Sequence, residues 1–309
     1  MRKILKTTML LLALFIACAA LGAADEGRLK VATTSSLYDT GLLDLIVDKY
    51  SEKYNDTIQI PSHGGTGIAI AAGQNGDVDM LLIHDKAREE KFVEDGDGLE
   101  RRCIAYNYFY IVGPEEDPAQ IEGLNASQAL KKIMEKGLDD PDSVKFVSRG
   151  DLSGTHSKEQ SLWKKAGYNY SEEINTSANS PWYIDAGSPM GATLIMASEK
   201  SAYTLTDMGT FMAFKGDLTL VPIIESGDEL LNVYTAIAIN PEKHPGVNCE
   251  LANKFINYLV SDEGQEIIGS FGQDKYDEPL FFKGQGNCDI MGCSAAECAV
   301  PATAACTAA

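Results

Sequence analysis

The sequence predicts an α/β fold divided into two lobes. Short apolar stretches of strand-like composition alternate with stretches whose apolar residues recur at helical spacing, and this alternation begins again in the second half of the chain. Strand–loop–helix units in series favour parallel sheets. About 285 residues remain after the leader described next, which is more than a usual single domain and favours two lobes.

The chain begins with a predicted signal peptide, residues 1–24. Arg2, Lys3 and Lys6 precede an apolar run that is short for a membrane span and ends in small residues. We therefore expect export to the periplasm or the cell surface, by simple cleavage or with an uncleaved N-terminal anchor in the membrane. Cleavage with lipid attachment at Cys18 is the alternative.

The composition is strongly acidic. The formal net charge is -19, and removal of the three leader cations makes it -22. Such acidity argues against a nucleic acid or an anionic membrane surface as the partner. It also raises the question of how such a chain would bind an anion.

The apolar spacing places the elements in order along the chain. In the first half they are a strand at 29–36, a helix within 37–54, a strand and Gly-rich loop from 57, a short helix from Thr66 to about Ala72, an apolar strand at 78–85 and a long β-rich stretch at 100–114. In the second half they are a strand at 143–150, an amphipathic helix at 155–167, a Gly-opened helix at 187–201, a strand and helical turn at 202–214, strands at 218–224 and 231–241, and terminal helices at 249–271.

The cysteines are distributed unevenly. Cys103 and Cys249 lie in the body of the chain, whereas four cysteines crowd the C-terminal residues 284–309, which are otherwise rich in Gly, Ala and Thr. An oxidising exterior permits disulfides, and Cys103–Cys249 is a candidate pair. We expect residues 284–309 to form a flexible tail. A metal site is the alternative, but the cysteine spacing there matches no common zinc pattern.

Four loops rich in Gly, Ser and Thr lie at predicted strand-to-helix junctions, at residues 33–36, 63–67, 148–156 and 186–191. The first N–H groups of a helix have no partner within the helix, and the aligned peptide dipoles add about half a positive charge there. Each loop taken alone is better explained as an ordinary N-cap. If the two halves of the chain face each other, however, the helix ends converge on one cleft and predict an anion site.

Local donors in such a cleft can outweigh the acidity of the chain. Exposed charges more than about 8–10 Å away are largely screened in physiological salt. A charge-assisted hydrogen bond contributes about 1.5–3 kcal/mol, and several would meet on one small ion. Arg149 is the one cation of the four loops, and its guanidinium could offer an oxyanion two parallel hydrogen bonds. A salt bridge from Arg149 to Asp151, which would brace the loop, is compatible with this role.

Catalysis is not predicted. Asp151, Ser153 and His156 have the side chains of a nucleophilic triad. In a triad the base contacts the serine and a third group orients the base, and three residues within a span of six rarely achieve this arrangement. We expect His156 to face solvent on its helix. The histidines also lack the spacing of the common zinc hydrolase motifs.

The loop motifs resemble one family. The combination of T-T-S at 33–35, G-T-G at 65–67, G-D-V-D-M-L-L-I-H at 76–84 and S-R-G-D-L-S-G-T-H at 148–156 is similar to the tungstate-binding proteins of Tup-type ABC uptake systems. The resemblance covers about residues 29–283. It implies that the ligand is held by the following residues: Thr34, Ser35, Thr66, Arg149, Ser153, Gly154, Thr155, Gly187, Ser188 and Met190.

The resemblance also implies the architecture and the partners. The fold would be that of a type II periplasmic-binding protein, with two crossover strands at 106–112 and 232–239 and the ligand in the cleft between the lobes. We expect lobe I to comprise residues 25–107 and 234–283, and lobe II to comprise residues 108–233. The protein would capture tungstate or molybdate without a cofactor or a directly coordinated metal, act as a monomer, and deliver the ion to an ABC permease and its ATPase.

Asp151 is expected to discriminate between anions. Tungstate and molybdate carry no proton near neutral pH, so their site needs donors only, whereas phosphate benefits from a buried acceptor. An Asp151 that points into the cleft would favour phosphate, and one that braces Arg149 would favour tungstate or molybdate. A sulfate receptor and an extracellular oxyanion-sensing domain of the same fold remain alternatives.

Overall fold

The computed structural model describes residues 27–179, 181–301 and 306. The predicted signal peptide lies outside these residues. No helix within the described ranges is long and apolar enough to cross a membrane.

Ten strands alternate with the helices. The strands are β1 (Arg28–Thr34), β2 (Thr57–Gly64), β3 (Met80–Ile83), β4 (Gly98–Pro114), β5 (Phe146–Ser148), β6 (Tyr183–Asp185), β7 (Thr204–Asp207), β8 (Leu220–Ile224), β9 (Leu231–Ile239) and β10 (Phe282–Lys283). The helices are α1 (Ser35–Tyr38), α2 (Leu42–Tyr54), α3 (Thr66–Gln74), α4 (Lys86–Glu94), α5 (Ala126–Asp139), α6 (Gly154–Lys165), α7 (Met190–Glu199), α8 (Met208–Phe214), α9 (Cys249–Leu259), α10 (Asp262–Ser270), α11 (Gln273–Tyr276) and α12 (Cys288–Met291).

The sheet of lobe I has the strand order β10-β4-β9-β3-β1-β2. Strand β1 is parallel to both β2 and β3, as the strand–loop–helix pattern predicts. Strand β9 then returns antiparallel between β3 and β4. The carboxyl ends of β1 and β2 therefore lie side by side, and the helices that follow them begin at the same edge of the sheet.

Strand β4 carries the chain from one lobe to the other. Its first part pairs with β9 as far as Tyr108 opposite Leu231. Its last part, from Phe109 to Pro114, pairs with β7 and β8 in lobe II. The predicted crossover strands thus lie within β4 and β9. The exact lobe boundaries at 107/108 and 233/234 stay a prediction.

Each lobe has an aromatic core. In lobe I, Tyr50 on the buried face of α2 meets the ring of Phe255 on α9 edge-on, with ring centroids 4.9 Å apart. In lobe II, Trp163 on α6 and Trp182 before β6 are fully buried and meet edge-on. Helix α5, which we did not predict, covers the second core through Leu130 and Ile133 and begins at an Asn125–Gln128 capping box.

The C-terminal segment is held against lobe I, so the expectation of a flexible tail is wrong for residues 284–301. Strand β10 pairs with β4 at Tyr106 and Ala105. Further along the tail, the carbonyl of Glu297 accepts a hydrogen bond from the N–H of Cys103, and its carboxylate forms an ion pair with Arg101. These contacts cover what would otherwise be an unpaired edge of the sheet.

The predicted Cys103–Cys249 pair is also wrong. Cys103 is joined to Cys293, Cys249 to Cys306, and Cys288 to Cys298. The two body cysteines therefore each pair with a tail cysteine, because the tail returns along lobe I. Sequence spacing alone carries no information about such a return.

The long-range disulfide should stabilise the protein more than the local one. The Cys103–Cys293 bridge spans 190 residues and the Cys288–Cys298 bridge spans 10. From loop-closure entropy, we expect replacing the first pair by serine to lower the free energy of unfolding roughly 2–3 kcal/mol more than replacing the second. Denaturant titration of the two double variants measures this difference. A Cys103–Cys249 peptide in a non-reducing digest would refute the connectivity.

Candidate anion-binding site

All four predicted loops follow the carboxyl end of a strand. Thr34 and Ser35 join β1 to α1, Gly65 joins β2 to α3, and residues 149–153 join β5 to α6. Residues 186–189 join β6, the parallel neighbour of β5, to α7. Two loops of each lobe therefore lie at one edge of their own sheet, as the predicted anion site requires.

The second and third loops meet across the cleft between the lobes. A Cβ atom added to Gly65 would lie 3.8 Å from the Cα of Ser153. One added to Gly154 would lie 3.4 Å from the Thr66 hydroxyl and 2.9 Å from the His84 ring. The backbone amides at the start of α6 thus approach lobe I with no side chain in between, and any larger residue at 154 would push the loops apart.

Two threonine hydroxyls of these loops have no hydrogen-bond partner within the part of the chain that the structure describes. Thr66 and Thr155 are buried, and among the described residues neither Oγ1 has a partner. An unpaired buried polar group costs about 1–3 kcal/mol, so native proteins keep few of them. Both hydroxyls come from loops that were predicted to hold the anion. A bound oxyanion would supply the missing acceptor.

Arg149 is buried at the end of β5 and is braced by Asp151. Its Nε donates a hydrogen bond of 2.8 Å to Asp151 Oδ2, and the other carboxylate oxygen accepts one of 3.1 Å from the N–H of Ser153. Asp151 therefore holds the loop together rather than supplying an acceptor to the cleft. This is the orientation that favours an anion without a proton.

The turn that carries Arg149 has an unusual backbone. Gly150 and Leu152 have φ angles of 64° and 58°. A Cβ atom at Gly150 would overlap the Asp185 carboxylate, so glycine is required there. Leu152 has a side chain, and for such a residue this left-handed conformation costs about 1–2 kcal/mol. Contacts elsewhere must hold the turn in place.

A cavity of about 270 Å³ opens beside Arg149 between the lobes. Ser35 and Met190, two of the residues expected to bind the ligand, line it. Asp39 and Thr210 also line it, and neither was predicted because neither lies in a Gly/Ser/Thr loop. Burial raises the pKa of the Asp39 carboxyl, while the positive charges of His63 and Arg149 lower it.

Part of the fourth loop does not reach the cavity. Gly187 is exposed, with a φ of 54°. Ser188 uses its polar groups locally: its hydroxyl donates to the Ala186 carbonyl and its N–H donates to the Arg149 carbonyl. Ser188 thus supports the backbone of Arg149, the N–H of Gly187 donates to the Asp185 carboxylate, and only Met190 of the predicted residues in this loop lines the cavity.

His156 is buried, so the expectation of a solvent-facing helix residue is wrong. Its Nδ1 accepts a hydrogen bond from the N–H of Leu152, and its Nε2 contacts Tyr170. Ser153 caps α6 by accepting from the backbone N–H of His156, not from its ring. The ring and the serine hydroxyl therefore do not form the couple of a nucleophilic triad.

One group of potential metal ligands occurs among the described residues, far from the four loops in sequence: Cys103, Cys293 and Glu297. Both of its cysteines are in the disulfide described above. The four loops offer hydrogen-bond donors rather than a set of metal ligands.

Comparisons with known proteins show the family of the chain. A family model described as a PBP superfamily domain matches residues 20–263. The tungstate-binding protein TupA of Peptoclostridium acidaminophilum is 40% identical over 259 residues, which are 83% of this chain and 85% of that protein.

Two solved structures are similar as well. TupA from Desulfovibrio alaskensis G20 has a TM-score of 0.72 and 37% identity, with coverage of 83% of this chain and 98% of that one. The tungstate ABC transporter structure from Geobacter sulfurreducens has a TM-score of 0.68 and 43% identity, with coverage of 80% and 99%.

The two lobes, the crossover strands and the family match define a substrate-binding protein of the PBP superfamily. Within that superfamily, the chain belongs to the TupA family. The resemblance seen in the sequence is thereby confirmed over most of the chain.

The unpaired threonines give a test that separates binding from folding. Thr155→Val removes a buried hydroxyl without a partner and keeps the shape, so the ligand-free protein should be as stable as the parent or more stable. The increase in melting temperature that an added oxyanion produces should be smaller for Thr155→Val than for the parent. Thr204→Val is the matched control, because the buried Thr204 hydroxyl donates to the Val147 carbonyl at 2.7 Å. It should lower the melting temperature and leave the oxyanion effect unchanged.

Proposed function

We propose that the protein captures tungstate, with molybdate as a second ligand, in the cleft between its lobes and delivers it to an ABC permease. The observation that carries this proposal is the pair of buried hydroxyls of Thr66, which faces Gly154, and Thr155, which follows Gly154; neither has a partner among the described residues. Thr34, Ser35, Ser153 and the backbone of α6 would add donors, and Arg149 the charge. The relatives from Peptoclostridium and Desulfovibrio are both named tungstate-binding proteins, which supports tungstate as the ion.

Tungstate and molybdate suit these loops because both are fully ionised dianions near neutral pH. The third loop supplies donors, and its one carboxylate, Asp151, is occupied by Arg149 and Ser153. Phosphate is the second candidate, because Asp39 brings a carboxylate to the neighbouring cavity and could accept its proton. Sulfate carries no such proton, so only its smaller size relative to tungstate would discriminate against it.

The remaining assignments follow from the same proposal. The protein would be exported by its leader and work outside the cytoplasm, either free or held at the membrane through its N-terminus. It would act as a monomer that catalyses no reaction and binds no nucleic acid. Its partners would be the oxyanion, the permease and the associated ATPase, a role that the similarity to the tungstate ABC transporter structure from Geobacter supports.

Titration calorimetry with tungstate, molybdate, sulfate and phosphate tests the function. Tungstate should bind most tightly or on a par with molybdate. Arg149→Ala should weaken tungstate binding roughly 10- to 150-fold, since one or more charge-assisted hydrogen bonds are lost. Arg149→Lys should recover only part of this, because an ammonium group cannot form the planar double contact.

Lys131→Ala is the control, because it removes one positive charge from an exposed position on α5. It should bind tungstate like the parent. An Arg149→Ala variant with unchanged affinity would refute the role of the arginine, and preferential binding of phosphate would favour the second candidate.

A further inference from the structure

A chain of buried and partly buried hydrogen bonds leads from the turn that carries Arg149. His156 Nδ1 is 3.0 Å from the N–H of Leu152, and its Nε2 is 2.8 Å from the Tyr170 hydroxyl. That hydroxyl is 3.0 Å from the Tyr183 hydroxyl, which is 2.6 Å from Glu159 Oε1. The chain thus joins a buried carboxylate to the backbone of the anion loop.

The protons in this chain can point in only one direction. Trp163 has only a donor and directs it at Glu159 Oε1, so this oxygen is an acceptor. The single proton of Tyr183 is therefore directed to Glu159. Its oxygen must accept the proton of Tyr170, and the Tyr170 oxygen in turn accepts from His156 Nε2–H.

The ionisation state of Glu159 does not change this direction. Burial raises its pKa to about 7, while hydrogen bonds from Ser148, Tyr183 and Trp163 lower it. A proton on the second oxygen, Oε2, would face the Ser148 hydroxyl at 2.6 Å and reverse that bond alone. Both bonds to Oε1 would remain.

The other end of the chain requires the same tautomer. The Leu152 N–H can only donate, so His156 Nδ1 must be the acceptor and its Nε2 must carry the proton. Gln160 Nε2 lies 3.1 Å from His156 Nε2, and a half-turn of this amide presents its oxygen to the ring N–H instead. The two ends of the network therefore agree that Nε2 carries a proton, and the Leu152 end additionally requires that Nδ1 carries none, so the ring is neutral.

We propose that His156 is a positioning residue of the anion site, because its neutral ring holds the turn from Arg149 to Ser153 in place. Protonation of Nδ1 breaks the hydrogen bond from the Leu152 N–H, which opens the turn and weakens oxyanion binding. This inference rests on the proposed function. The bond from Leu152 stabilises a non-glycine residue in the left-handed conformation, and that residue lies between Arg149 and the Ser153 cap of α6. A charged imidazolium has no acceptor to offer there.

The groups that face His156 determine the pH at which its ring is protonated and the oxyanion affinity falls. Burial lowers the pKa of the ring below its usual 6.5, the carboxylates of Asp185 and Asp151 raise it, and the Arg149 guanidinium lowers it further. The remaining close neighbours, Tyr170 and Gln160, are neutral. Because the ligand-binding turn requires the unprotonated ring, affinity is complete above about pH 6.5 and falls as the pH drops below the pKa of His156, by at most about tenfold per pH unit.

His156→Asn provides the decisive variant. The asparagine Oδ1 occupies the place of Nδ1 and can accept from Leu152 N–H, but it does not titrate. The tungstate affinities of the parent and the variant are measured by calorimetry at pH 7.5 and 5.5 on the same tungstate solutions. Protonation of the tungstate ion affects both proteins equally, so it cancels in the ratio of their two affinities. The parent should lose affinity relative to the variant at pH 5.5, and at that pH it should release a proton on binding when two buffers are compared. His156→Ala should bind more weakly at both pH values.

An equal parent-to-variant ratio at both pH values would overturn the inference and leave tungstate binding itself intact. Absence of tungstate binding by the parent at pH 7.5 would instead refute the proposed function. Long-range ¹H–¹⁵N spectra of the ligand-free parent decide the ring state independently of any ligand. Proton attachment at Nε2 of His156 at pH 7.5 is expected, and attachment at Nδ1 would overturn the arrangement.

Discussion

The structure depends on how closely the two lobes approach each other at Gly154. Because this residue has no Cβ atom, the first turn of α6 comes within contact distance of Thr66 and His84 on the other lobe. A small dianion loses its water shell on entering a cleft, and only donors that reach it from several sides can replace that shell. Backbone amides can do so from both lobes only when no side chain separates the two loops. The glycine therefore sets the size of the site and the distance at which the lobes close.

The same constraint explains how an acidic protein can hold an anion. The net charge is spread over exposed carboxylates and is screened by salt, whereas the loop donors would act within a few ångströms of a bound ion. The carboxylate of the third loop, Asp151, is bound by Arg149 and Ser153, so it orients donors instead of facing the ligand. Asp39 is the exception, and its raised pKa reflects the cost of a negative charge beside this cavity.

The sequence predicted the parts of the site that are built locally. Capping residues at strand-to-helix junctions are a local signal, and they placed Thr66, Arg149 and Ser153 at the strand-to-helix junctions that the structure shows. The packing of one loop on another is not local. Ser188 has the composition of a ligand-binding residue but bonds to the neighbouring loop, Gly187 is exposed, and Asp39 lines the cavity from a position without any motif.

His156 shows the same limit more clearly. Its position on the first turn of an amphipathic helix predicted exposure, because the apolar face of α6 is carried by other residues such as Leu162. Burial of the ring depends on Tyr170, which lies in an irregular π-helical turn (Tyr170–Ile174), and on Tyr183 in β6. No pattern within the helix encodes those partners. The cysteine pairing failed for the same reason, since the return of the tail along β4 is a tertiary event.

The tail and the hinge share one strand, and this limits where the lobes can move. The backbone pairing of β10 with β4 extends no further than Tyr106, and the disulfide at Cys103 joins the tail to the strand just before that point. From Phe109 onwards β4 belongs to the sheet of lobe II. Tyr108, opposite Leu231, is the last β4 residue in the pairing with β9 and lies between these two parts of the strand. A hinge closure of the lobes around a ligand would therefore bend β4 and β9 near this point, because both strands connect the lobes.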